Sequence, residues 1–73
     1  MKDKIREIIA RVFKINISEI HDNFSQNDCN NWTSLQHLAL IFEIETETGL
    51  SFEPEEISQM TSLKKILQVV SEK

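Results

Sequence analysis

Three side chains of types that do chemistry fall within one short segment, CNNWTSLQH: the thiol of Cys29, the hydroxyl of Ser34 and the imidazole of His37. Cys29 and His37 could in principle pair as nucleophile and base, but no group that would orient the imidazole is identifiable, so the thiol is expected to be inert. Ser34 is different. The run TSLQ matches a capping box, with Thr33 as N-cap and Gln36 reaching back from the third helical position. That leaves Ser34 at the first helical position, its hydroxyl directed outward within reach of a modifying enzyme. A phosphate ester formed there would lie against unpaired backbone N–H groups and the positive end of the helix dipole, where an anion is stabilised. No metal-ligand spacing of His and Cys occurs, a chain with one glycine holds no Gly-rich phosphate loop, and His21 is expected to be a solvated loop residue.

The elements that must position Ser34 are legible in outline. Ile5, Ile8, Ile9, Val12 and Phe13 recur at helical spacing and predict an amphipathic helix over residues 3–14. From Ile15 to Trp32 the pattern dissolves into a long polar loop, which Ile17, Ile20 and Phe24 are expected to pin to the core; a loop of this length in so small a domain is expected to be functional or to contain a short helical turn. A second helix is predicted from Ser34 to Thr48, stopped by Gly49. Pro54 suits the first position of a short third helix. Thr61 is expected to cap a last helix through Val70, with Ile66, Leu67 and Val70 as its apolar stripe. No strand-like alternation persists, so the predicted fold class is all-α: a small four-helix bundle of three longer helices and one short one.

The second helix carries more apolar surface than one stripe requires. On a helical projection Leu40, Ile41 and Ile44 fall within a roughly 100° sector suited to the core. Leu35, Leu38, Ala39 and Phe42 form a second apolar arc, with Ser34 at its edge and Glu45 between the two. Gln36, Glu43 and Glu47 occupy the remaining narrow sector. The second arc is expected either to be buried by a neighbouring element or to stand exposed as a docking surface. Trp32, immediately before the cap, is expected to anchor the loop against the bundle, and His37 to lie on the core side, hydrogen-bonded to the loop.

Seventy-three residues make one small domain, residues 1–73, with little room for a deep, preorganised cleft, so binding or carrying is expected rather than catalysis. A single cysteine forms no internal disulfide, and the expected compartment is the cytoplasm. The opening MKDKIREIIARVF has no uninterrupted apolar core, so no secretory signal or membrane association is expected. The net charge of −4 is uneven: +3 over residues 1–14, −9 over residues 15–63, which contain no lysine or arginine, and +2 over residues 64–73. Such a field repels nucleic acid and anionic lipid and steers partners with basic patches.

The segment WTSLQHLALIFEIETETGLSF resembles the second helix and its exit in acyl and peptidyl carrier proteins, whose signature is Asp-Ser-Leu followed by an acidic amphipathic helix and a glycine. FKINISEIHDNFSQ is similar to that family's first inter-helix loop, and FEPEEISQMTSLKKILQVV to its short third helix and threonine-capped fourth. The resemblance implies an acyl-carrier-like bundle in which 4′-phosphopantetheine, taken from coenzyme A by a phosphopantetheinyl transferase, is esterified to Ser34 and carries acyl or aminoacyl groups as thioesters. It also implies that Thr33, Leu35, Leu38, Phe42 and Glu45 meet the transferase, the loading ligase and later biosynthetic enzymes, and that the carrier works as a monomer. Two positions depart from the family pattern. Thr33 replaces the aspartate, keeping a cap but losing a charge, and Ala39 stands where many relatives carry glutamate. An unmodified helical interaction domain, which could be a homodimer joined through the second arc, is the alternative.

Overall fold

The stripe Ile5, Ile8, Ile9 and Phe13 is fully buried in the computed structural model, which describes all residues 1–73, and it organises the other elements around helix α1 (Lys2–Phe13). Asp3 in the first turn and Arg11 in the last complement the helix dipole. Val12, expected on the buried stripe, is only half-buried at its edge. Lys14 closes the helix in the left-handed region at φ 58°, its N–H donating to the Ala10 carbonyl.

The long loop is held by polar lacing as well as by apolar pins. Ile20 and Phe24 are buried as expected, whereas Ile17 stays 40% exposed. Two 3₁₀ turns, Ile17–Glu19 and Gln26–Asp28, consume much of its length. In the first, the Asn16 N–H donates to Glu19 Oε2 at 3.1 Å; in the second, the Ser25 N–H donates to Asp28 Oδ2 at 3.0 Å. The Arg6 guanidinium donates to two loop carbonyls, Nε to Ile20 at 3.0 Å and Nη2 to Ile17 at 3.0 Å. The Ile20 carbonyl has no other partner, so Arg6 satisfies it, while the Ile17 carbonyl also accepts from the Ile20 N–H.

Helix α2 runs Ser34–Thr48, the predicted bounds, and Gly49 ends it at φ 75° with its N–H on the Glu45 carbonyl. A Cβ at that φ is strained, so the chain's single glycine stands where the backbone needs one. Leu40, Ile41 and Ile44 are buried against α1. Helix α3 (Pro54–Gln59) begins at Pro54, whose missing N–H has no partner to lose there. Helix α4 (Leu63–Ser71) starts one residue later than expected. Ser62, not Thr61, is its cap, accepting from the Lys65 N–H at 3.2 Å.

The reason lies in the loop. Gln26 N–H donates to the Thr61 carbonyl and Leu63 N–H to the Phe24 carbonyl, an isolated antiparallel pairing of Ser25 with Ser62 that holds Ser62 extended. The helix can begin only after it. Leu63, Ile66, Val69 and Val70 form the buried face of α4, while Leu67 is half-buried beside it. The fold is therefore all-α, three longer helices and one short, with no strand.

The two apolar faces of α2 should separate under substitution. Leu40→Ala is expected to cost about 2–5 kcal/mol of unfolding free energy, and Phe42→Ala less than about 0.5, both read from urea denaturation. Two surface pairs should also give acid sensitivity. Lys2 holds the Asp22 carboxyl, and Lys73 the Glu56 carboxyl, below its ordinary value through hydrogen bonds at 2.7 Å. A depressed carboxylate stabilises the fold above its unfolded value and loses that contribution as pH falls through the folded one. Replacing Lys73 with Met should therefore lower thermal stability at neutral pH and leave it little changed once Glu56 is protonated, as followed by melting curves across acid pH.

Candidate functional site

The first turn of α2 emerges from the loop at Trp32, and its geometry follows from what Trp32 touches. The indole is 9% exposed. It packs on Phe13 of α1, with ring centroids 4.8 Å apart, and on Phe24 of the loop at 6.2 Å. Three segments distant in sequence thus meet on one side chain, which fixes the angle at which the chain enters α2. The expected role as loop anchor holds.

Thr33 caps the helix as predicted, its Oγ1 accepting from the Gln36 N–H at 3.2 Å. The reciprocal half of the capping box is absent. The Thr33 N–H donates instead to the Asn31 carbonyl at 2.9 Å, a local turn that satisfies the group Gln36 was expected to reach. Ser34 follows at the first helical position and is exposed. The N–H groups of Ser34 and Leu35 have no partner, while that of Gln36 is taken by Thr33. An anion on the Ser34 oxygen would therefore meet oriented donors rather than carbonyls.

The second apolar arc is on the outside. Leu35 is 75%, Leu38 58% and Phe42 66% exposed, and Ala39 between them is exposed as well. The carboxylates of α2 lie elsewhere. Glu43 and Glu47 face α1, where Arg11 pairs with both and Lys4 with Glu47. Glu45 Oε2 accepts from the Phe52 N–H at 2.9 Å and so braces the segment leading into α3. The surface around Leu35, Leu38 and Phe42 is accordingly more apolar than the count of acidic residues suggests.

Beside Ser34 an open cleft of about 520 Å³ separates α2 from α3. Ser34, His37 and Leu38 line one wall and Pro54, Ile57 and Ser58 the other. Of the predicted site residues, Thr33, Ser34 and Leu38 border this cleft, while Leu35 and Phe42 continue along the exposed face and Glu45 is turned toward Phe52. The α3 wall was not predicted. Its sequence signal is faint, since Ile57 and Ser58 carry no motif and reach the site only through the turn that Gly49 and Pro54 impose.

His37 lies on the inner side of α2, as expected, and both ring nitrogens are engaged. Trp32 Nε1–H donates to Nδ1 at 2.9 Å. Nε2 is 2.7 Å from the Ile57 carbonyl, and because that oxygen can only accept, Nε2 carries the proton. The imidazole is therefore neutral and committed. Cys29 is buried in a separate hollow lined by His21 and Asp28, so Cys29 and His37 form no nucleophile–base pair. No group of three or more His, Cys, Asp or Glu is arranged to hold a metal ion. No helix is long and apolar enough to cross a membrane.

No protein-family model matches this chain, and a search of curated proteins finds no match.

Replacing Thr33 tests the cap that positions Ser34. Thr33→Ala is expected to lower stability by about 1 kcal/mol, and Thr33→Asp to match or exceed the parent because it keeps the acceptor and adds a charge of the favoured sign, both measured by urea denaturation.

Proposed function

We propose that this chain is a carrier domain of the acyl and peptidyl carrier kind, with Ser34 as the attachment point for 4′-phosphopantetheine. The observation that carries the reading is the exposed hydroxyl of Ser34 at the first position of α2, bordering an open cleft and adjoining an uncovered apolar face on the same helix. The resemblance of residues 32–52 to the family's second helix points the same way, and the bundle of three longer helices and one short one fits it.

The site residues fit the group. Ser34 is exposed, the unpaired N–H groups of Ser34 and Leu35 favour a phosphodiester there, and the cleft between Leu38 and Ile57 has room for a linear arm. When bound, phosphopantetheine supplies a terminal thiol on which acyl or aminoacyl groups are held as thioesters. The chain's own contribution is positional. Thr33 and Trp32 hold the helix mouth, and Leu35, Leu38 and Phe42 offer partner enzymes an apolar contact. Tethering converts each later encounter into a local one at high effective concentration. Docking should be weak and brief, because a shuttle must leave. The partners are a phosphopantetheinyl transferase, a loading ligase and downstream biosynthetic enzymes, and the bond chemistry belongs to them.

The exposure of Leu35, Leu38 and Phe42 also suits a second reading, an unmodified interaction domain that self-associates through this face. Incubating the protein with coenzyme A and a broad-specificity phosphopantetheinyl transferase, followed by intact-mass measurement, separates the two. The carrier reading expects a gain of one phosphopantetheine that disappears in Ser34→Ala. No gain, together with a concentration-dependent dimer abolished by Leu38→Glu, would replace it with the second.

A further inference from the structure

The Trp32–His37–Ile57 chain of hydrogen bonds is asymmetric in what protonation does to it. Neutral His37 accepts from Trp32 Nε1–H at Nδ1 and donates from Nε2 to the Ile57 carbonyl. An imidazolium donates from both nitrogens. Its Nε2–H can keep the Ile57 carbonyl, but its Nδ1–H meets the indole N–H, which has no acceptor to offer. Adding one proton therefore preserves the tie between α2 and α3 and breaks the tie between α2 and the loop. The indole ring lies within packing distance of the imidazole, centroids 6.1 Å apart, so the two donors cannot separate without one ring moving.

We propose that His37 is a pH-sensitive latch on the loop that leads into α2: neutral His37 holds Trp32 in place, and protonated His37 releases its indole while still gripping α3. No other charged or titratable side chain is bonded to the imidazole. The cleft it lines contains no charged side chain. On α3 and its cap, Glu53 and Glu55 are exposed and Glu56 is bonded to Lys73 and to the Glu53 N–H. On the loop, Asp28 accepts from the Ser25 N–H and stands 4.0 Å from His21. Lys64 and Lys65 in the first turn of α4 are exposed, as is Lys14 at the end of α1. None of these is bonded to His37. The released residue immediately precedes the Thr33 cap and lines the same cleft as Ser34, so the latch controls the mouth of the site whatever the site carries.

The chain's single tryptophan makes the test direct. The indole N–H resonance of Trp32 should shift as pH is lowered from about 8 to about 5, in step with the ring resonances of His37. Over the same range its solvent exchange, taken relative to His37→Gln at each pH, should rise roughly tenfold, as expected for loss of one hydrogen bond. In His37→Gln, whose side chain offers an acceptor that does not titrate, the shift should vanish, while in His21→Gln it should persist. An indole signal that is flat across this range, or one that follows His21, would overturn the proposal. If His37→Gln does not fold, the ring nitrogen shifts of the parent protein decide alone: Nδ1 gaining its proton with no change at the indole would equally overturn it.

Discussion

The burial of Leu40, Ile41 and Ile44 of α2 in one core with Ile5, Ile8 and Ile9 of α1 fixes the rotation of α2 about its own axis, and the candidate site follows from that rotation. A helix is rigid over fifteen residues, so seating one stripe sets the direction of every other side chain. With those three inside, Ser34, Leu35, Leu38 and Phe42 point to solvent and His37 points toward the α3 side. A small domain buries only part of its apolar surface, and with one stripe of α2 seated on the core no element of the chain remains to cover the three large apolar side chains of the other. An uncovered apolar face of this kind is what the proposed docking role would use.

Electrostatics does a different job here from the one that composition suggests. The excess of acid between residues 15 and 63 reads as a uniformly negative face, but on α2 two of the three carboxylates are balanced by Arg11 and Lys4 and the third caps a loop N–H. Exposed pairs of this kind add little stability individually, about 0–1 kcal/mol. Their effect is to clear charge from the apolar arc. Glu53 and Glu55, on either side of the cleft-lining Pro54, are exposed and have no basic partner. A visiting protein would therefore meet grease on one side of the serine and negative charge on the other.

What the sequence made legible was whatever depends on local chemistry. Gly49 and Pro54 bound their helices because their backbones permit little else, and the helical period separated the buried Leu40 stripe from the exposed Phe42 arc before any tertiary contact was known. Ser34 could be placed at a helix start because Thr33 is a cap and Leu35 begins the apolar pattern. Apart from the local turn at Asn31, the misses share a cause. Thr61 and Ser62 are equally good caps, and the choice between them is made by a backbone pairing with Ser25, 37 residues away in sequence. The Gln36 half of the capping box lost to a turn at Asn31, and Ile17 is left outside while Arg6 spans to its carbonyl. His37 could be assigned to the inner side of its helix, but not to Trp32 and Ile57 as partners. Long-range pairing has no period to read.

Trp32 carries one more consequence. The chain has no tyrosine, so nearly all of its near-ultraviolet absorption and emission arises from a single indole wedged where α1, the loop and the entrance to α2 converge. The molecule thus comes with a built-in optical reporter at its most informative junction, and a change of colour or brightness in an unlabelled sample speaks for that junction alone.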